Sequence, residues 1–324
     1  VGNRSRAQVV AEAGLPHILV TGAGGFIGDA VCHELLRAGH RVRAGVRRGG
    51  GPARDAETWP LGDIGPQTDW SPVLAGIDCV VHLATSARPP ANTSAAAAEA
   101  AAIAALVRAS GACGIRRLVH LSSIRAMGET APADRPLRAA DPPEPADAYG
   151  RAKLGIEIAA TNAARAAGLD LVILRPPMVY GPGVKGNFRA LLTLAASGLP
   201  LPFAALTNRR SLIFRDNLAS LVARTCTHPG AAGRILLARD IDLSVPEIIA
   251  ALEPALGGRV KMFALGAPWW AALRLVPVIG PALRRLALPF LVDDAETRRT
   301  LGWEPPVAPE EGLAATARAF AGRG

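Results

Sequence analysis

Aromatic side chains are scarce, at 4% of the 324 residues. That leaves little material for stacking bases, and the 36 lysines and arginines are scattered rather than gathered into a basic run. No zinc-finger spacing occurs. No nucleic acid is therefore expected as a partner, even at a formal net charge of +9. A small anionic ligand accounts for part of that excess. Cysteine is scarce too: Cys32, Cys79, Cys113 and Cys226 form no C-x-x-C pair, and Cys79 lies in an apolar run and reads as a small buried hydrophobe. No disulfide framework and no metal site are expected, and this usage suits a reducing, cytoplasmic compartment. Long apolar runs are missing as well. The most apolar stretch, 263–292, is interrupted by Arg274, Arg284, Arg285 and several prolines, so no membrane insertion is expected. Val1 to Gly14 lacks the apolar region of a secretory signal and reads as part of a polar tail over 1–15. Neither an internal repeat nor a collagen period is present.

What is present is a hydrophobic half of the chain, enough for a sizeable core without staples. His17 to Val20 is a short apolar run suited to a buried parallel strand, and 26–38 carries a helical apolar stripe closed by Gly39. Arg41 to Val46 reads as a strand and 47–67 as a loop. Strands are expected near 78–83, 118–121 and 171–174, with helices over 94–109 and 147–167 and a Pro-rich loop over 128–146. This alternation predicts an α/β fold, a Rossmann-type doubly wound parallel sheet. Beyond Tyr180 the rhythm changes at Gly181-Pro182-Gly183. Leu212 to Phe214, a helix from Asp216 and 234–238 return to sheet-and-helix material, and 260–291 reads as small cap helices. The plan is a Rossmann domain over 16–180 with returning segments at about 212–240. A smaller C-terminal substrate lobe covers 181–211 and 241–324.

Gly22, Gly24, Gly25 and Gly28 follow the first strand and, with Phe26 and Ile27, open the first helix. Such a turn lets backbone N–H groups approach a pyrophosphate at the positive end of a helix, while Gly28 allows close helix–sheet packing. The strand before and the helix after satisfy the context that a dinucleotide site requires. No carboxylate closes the second strand. Arg47 and Arg48 stand there instead, suited to the 2′-phosphate of NADP or, alternatively, to solvating a loop. Asp63, with Ile64, is a candidate partner for the adenine amino group, and Leu83, Ala84 and Thr85 would end the next strand beside the pyrophosphate.

Tyr149 and Lys153 fall four apart on one helical face. A phenol with an ordinary pKa near 10 is a poor base at neutral pH, but an adjacent ammonium favours the phenolate. The tuned phenol then exchanges a proton with a substrate hydroxyl. A strand ending in Ser122-Ser123 precedes this pair, placing a hydroxyl where open α/β sheets hold ligands.

These motifs, with His82-Leu83-Ala84, the run from Leu174 to Gly183 and Leu301-Gly302-Trp303-x-Pro305, resemble the extended short-chain dehydrogenase/reductase superfamily. Within it they resemble the NAD-dependent nucleotide-sugar epimerase/dehydratase family. The resemblance implies that Ser123 hydrogen-bonds the reacting oxygen, that Tyr149 is the acid/base, and that Lys153 binds the nicotinamide ribose and tunes Tyr149. It implies that Arg175, Pro176 and Pro177 line the nicotinamide pocket and that Asn187 and Arg210 hold the substrate diphosphate. The implied function is a C4 epimerase of a UDP-hexose or UDP-N-acetylhexosamine using NAD(P)(H), with NADP favoured by Arg47 and Arg48. The alternative is an NADPH-dependent reductase of a 4-keto sugar or another ketone. A scaffold without catalysis is disfavoured by the intact Ser123, Tyr149 and Lys153. The superfamily habit also implies a homodimer through the 94–109 and Tyr149 helices. Three departures stand out: 99–103 lacks the family's Asn, Met127 replaces a common Tyr, and Arg215-Asp216-Asn217 replaces an apolar-acid-acid run.

Overall fold

The computed structural model describes residues 15–47, 55–85, 90–258, 260–266 and 288–322. The chain runs β1 (His17–Thr21), α1 (Phe26–Arg37), β2 (Arg41–Val46), β3 (Glu57–Pro60), α2 (Ser71–Leu74), β4 (Cys79–His82), α3 (Thr93–Ala112) and β5 (Arg117–Leu121). A 3-10 turn (Ile124–Ala126), α4 (Ala148–Ala167), β6 (Asp170–Arg175), β7 (Met178–Tyr180), α5 (Gly186–Ala196) and β8 (Arg209–Phe214) follow. Then come α6 (Arg215–Thr227), β9 (Ile235–Leu237), β10 (Ile241–Ser244), α7 (Val245–Leu256), α8 (Ala295–Leu301) and α9 (Pro309–Ala321).

Among the described residues, seven strands form a parallel sheet in the order β3-β2-β1-β4-β5-β6-β9, the doubly wound order expected of the alternation. The β1, β4 and β5 runs lack polar alternation because both sheet faces are covered: Ile18, Leu19, Val20, Val80, Val81, Leu118 and Val119 are fully buried. A second sheet has the order β10-β8-β7, with β8 antiparallel to β10 and parallel to β7.

Two compact units emerge. Among the described residues, one comprises those up to Leu121 with Gly155–Ile173 and Val222–Arg234; the other comprises Ser122–Leu154, Leu174–Leu221 and those from Ile235 onward. In the first, α1 buries Val31, Cys32 and Leu35, and α3 buries Ile103, Leu106 and Val107. By length and apolar composition α3 is the one helix among the described residues that meets a membrane-span test, yet its Ile103, Leu106, Val107 and Ser110 side chains are core. In the second, α7 packs on α9, and Tyr180 is fully buried, stacked 5.6 Å from Phe188 and tilted 5.5 Å from Phe214. A Cβ on Gly312 of α9 would meet the Phe214 ring at 2.9 Å, so this contact needs glycine.

The region 47–67 is not all loop, because β3 adds to β2 in parallel at Arg43↔Glu57 through Val46↔Pro60. As an edge strand it buries little, and only Trp59 is partly covered, with the Arg43 guanidinium 5.1 Å over its ring. It therefore lacks the apolar run that marks interior strands, and Pro60 is tolerated at the edge. Most of the region expected as cap helices, 267–287, lies outside the described residues. Its described flanks are extended instead, bridging Leu201↔Met262, Phe203↔Ala264 and Arg210↔Phe290.

Two departures from the family pattern have a packing account. Met127 is buried in a cluster with Ile124, Ala131, Leu237, Phe290 and Val292. Asn217 is fully buried and uses both ends of its amide on Val307, donating to its carbonyl and accepting from its N–H, each at 2.9 Å. An acid there lacks the donor that this reciprocal pair requires.

Candidate active site

In the first unit the glycine turn is a backbone construction. Gly22 has φ +72°, a left-handed conformation, and a Cβ on it would lie 2.9 Å from the Ala84 nitrogen. Gly25 N–H bonds the Gly22 carbonyl at 2.9 Å. A Cβ on Gly28 would lie 2.1 Å from that same oxygen. Gly24 is different, since its Cβ would meet nothing nearer than a Val46 methyl at 3.9 Å. Gly25 is the N-cap of α1 and brings no side-chain cap, while Gly24 and Gly25 are exposed and Phe26 and Ile27 half-buried. The positive end of α1 is thus a cradle of close-packed backbone that side chains would fill, and a dinucleotide pyrophosphate fits it.

The same turn abuts the end of β4. Leu83 N–H bonds the Thr21 carbonyl, Thr85 N–H bonds the Leu83 carbonyl, and Thr21 Oγ1 lies 2.8 Å from His82 Nδ1. Leu83, Ala84 and Thr85 are brought beside the glycines and are half-buried. Past β2, Arg47 Nε pairs with Asp63 Oδ1 at 3.1 Å, with both side chains largely exposed. The two residues assigned to the adenosine half of a dinucleotide are therefore neighbours, and Ile64 follows half-buried. Arg48 lies outside the described residues.

The second unit holds Ser123, Tyr149, Lys153, Pro176, Asn187 and Arg210. Ser123 opens the 3-10 turn, and its Oγ accepts from Arg125 N–H at 3.2 Å. Ile124 N–H bonds the Pro176 carbonyl at 3.0 Å, which joins the serine segment to the buried Arg175-Pro176-Pro177 run. Tyr149 is the second residue of α4 and is half-buried. One turn on, Lys153 is 3% exposed, with Nζ 5.4 Å from the centre of the Tyr149 ring. A buried ammonium beside a phenol ring favours the phenolate. Asn187 is the second residue of α5 and is exposed.

Arg210 lies near the start of β8, donates from Nη1 to the Leu288 carbonyl at 2.9 Å, and sits 5.7 Å over the Phe290 ring. Burial, reinforced by the charge of Arg125 and opposed by Glu129, pulls its guanidinium down to about 10. Three charged side chains that the sequence motifs do not include gather here. Arg125 Nη2 donates to Asp147 Oδ2 at 2.5 Å and to Glu129 Oε1 at 3.2 Å. The available signals were position alone: Arg125 lies two residues past Ser123, and Asp147 two residues before Tyr149.

A model of the NAD-dependent epimerase/dehydratase family matches residues 18–237, a span that includes both the glycine turn and the Tyr149–Lys153 pair. The chain belongs to this family. It is 33% identical to a UDP-glucose 4-epimerase of Vibrio cholerae over 314 residues, 94% of this chain and 95% of that one. It is also 30% identical to a 2-alkyl-3-oxoalkanoate reductase of Stenotrophomonas maltophilia, over 91% of this chain and 97% of that one. Among solved structures, UDP-glucuronic acid 4-epimerase from Bacillus cereus in complex with NAD superposes with a TM-score of 0.75 at 22% identity, covering 94% of this chain and 96% of that one. As a family member the chain is an NAD-dependent enzyme.

Proposed function

We propose that the chain is a nucleotide-sugar 4-epimerase acting on a UDP-hexose or UDP-N-acetylhexosamine. The observation that carries this reading is the buried Lys153 ammonium against the Tyr149 ring. Residues 16–180 with the returning segments serve the cofactor, and the remaining C-terminal segments serve the sugar nucleotide. NAD, when bound, supplies a reversible acceptor for the C4 hydride. Tyr149 takes the proton of the C4 hydroxyl as the C4–H bond breaks, which leaves a 4-keto sugar. It returns the proton to the 4-keto oxygen once the sugar presents its other face. Ser123 holds the reacting oxygen by hydrogen bonding. Lys153 keeps the phenol ready to ionise and would hydrogen-bond the nicotinamide ribose, and Pro176 would line the nicotinamide pocket. Gly22, Gly25 and Gly28 leave room for the cofactor pyrophosphate. Asn187 and Arg210 hold the substrate diphosphate, Arg210 by a charge-assisted contact.

The NADPH-dependent reductase reading is favoured by one feature: β2 is followed by Arg47 rather than by a carboxylate that would read the ribose hydroxyls. Purified protein that releases NAD and interconverts UDP-glucose and UDP-galactose supports the epimerase; an empty site that binds NADPH supports the reductase. Under either reading, Tyr149→Phe lowers kcat by roughly 10²–10⁴-fold and leaves cofactor affinity unchanged. A variant retaining more than about a tenth of wild-type kcat removes Tyr149 from the proton transfer.

A further inference from the structure

We infer that Arg125 and Asp147 are positioning residues that hold the Ser123 hydroxyl and the Tyr149 phenol in register; this rests on the acid/base reading of those two side chains. Ser123 and Tyr149 sit on separate pieces of chain, one opening a 3-10 turn and the other in the first turn of α4. The residues between them, largely without regular structure, do not fix that relation by themselves.

Arg125 touches both pieces. Its backbone N–H donates to Ser123 Oγ at 3.2 Å, which occupies one lone pair and leaves the hydroxyl proton and the other lone pair for a ligand. Its guanidinium donates to Asp147 Oδ2 at 2.5 Å. Asp147 stands at the N-cap of α4, where its Oδ1 accepts from Gly150 N–H at 2.8 Å and its carbonyl accepts from Arg151 N–H at 3.0 Å. Tyr149 lies inside this capped turn. The backbones meet as well, since a Cβ on Gly150 would come within 2.3 Å of the Arg125 carbonyl oxygen. Glu144 N–H closes the loop onto the Met127 carbonyl at 2.9 Å.

The ion pair is substantially shielded, with side chains 16% and 25% exposed, and Glu129 provides a second carboxylate at 3.2 Å. A guanidinium held between two carboxylates is a fixed strut rather than a free charge.

The test is a double-mutant cycle in the NAD-loaded enzyme, assayed on whichever of UDP-glucose or UDP-N-acetylglucosamine it epimerises. Arg125→Met lowers kcat by roughly 10- to 100-fold with KM changed less than about twofold, the scale expected for a displaced reacting group. In a Ser123→Ala background the same change costs less than about twofold, because the hydroxyl it positions is gone. Asp147→Asn keeps the cap acceptor but loses the charge; it reproduces the kcat loss with an unchanged melting temperature, which covers the case in which Arg125→Met fails to fold. Equal losses in both backgrounds, or full kcat in Arg125→Met and Asp147→Asn, overturn the inference while leaving the acid/base reading intact. A Ser123→Ala enzyme with full kcat overturns the inference by removing Ser123 from the site, while Tyr149→Phe tests the acid/base reading separately.

Discussion

Around Gly22–Gly28 the structure is shaped by side chains that are missing, and around Ser123–Tyr149 by side chains that hold one another. At the first place, Gly22 and Gly28 let backbone atoms approach to distances that a single methyl would violate. At the second, Arg125, Glu129 and Asp147 form an ion-paired group, and Lys153 is buried against an aromatic ring. The contrast suits the tasks proposed for the two places. A pyrophosphate is bound well by fixed N–H groups and a helix dipole, which need only space. Proton transfer needs a tuned pKa and a hydroxyl in register, which only side chains supply.

The largest effect is expected from breaking the backbone-built region. Gly28→Ala places its methyl against the Gly22 carbonyl oxygen and Ala23. Stability falls by roughly 3 kcal/mol, the upper part of the overpacking range, and dinucleotide affinity falls with it. Gly24→Ala, with open space around it, leaves thermal unfolding unchanged. Equal melting temperatures for the two variants would show that the turn tolerates side chains throughout.

A smaller effect is expected at a buried carboxyl of the second unit. Burial lifts the Asp240 carboxyl to about 6, against hydrogen bonds from Phe214 N–H, Asn217 and the Tyr180 hydroxyl. A carboxyl whose folded pKa is raised contributes its full stability below the ordinary carboxylate range, near 4, and loses that contribution as pH rises through 6. Asp240→Asn keeps an acceptor and removes the titration. The melting temperature of the variant relative to wild type therefore rises between pH 4 and pH 7, as followed by thermal denaturation. A difference that stays flat with pH contradicts the raised value.

The smallest effect belongs to Arg47, a side-chain element of the otherwise backbone-built region. Its exposed pair with Asp63 contributes well under about 1 kcal/mol, so Arg47→Ala leaves stability unchanged. If it reads a 2′-phosphate, NADPH affinity falls roughly tenfold, near the lower end for hydrogen bonds to charged groups, and NADH affinity does not change. Equal changes for both cofactors reduce Arg47 to a loop residue.

The two regions were not equally legible in the sequence. Glycine spacing after an apolar strand is a local pattern, so the turn and the sheet around it were readable from order alone, as were the β1, β2, β4 and β5 strands. The edge strand β3 was not, because it buries only part of Trp59 and so carries no apolar signature. The α7 helix was missed although Ser244 and Glu247 form a reciprocal capping box at its start. The Tyr149–Lys153 pair was visible through helical periodicity. The strut beside it was not, since Arg125 and Asp147 meet only when a loop without a periodic pattern folds back, and a charged residue in such a loop looks like any solvated one.

Under the proposed function, Tyr149 is a phenol tuned for proton transfer by Lys153. The chain has two tyrosines, and burial beside Asp240 pushes Tyr180 far above the ordinary phenol range. Alkaline titration of tyrosinate absorbance in the intact protein therefore reads Tyr149 first. One phenol is expected to ionise below the ordinary value near 10, shifted upward in Lys153→Met and absent in Tyr149→Phe. A titration with no phenolate below pH 10, or one that survives in Tyr149→Phe, contradicts that tuning.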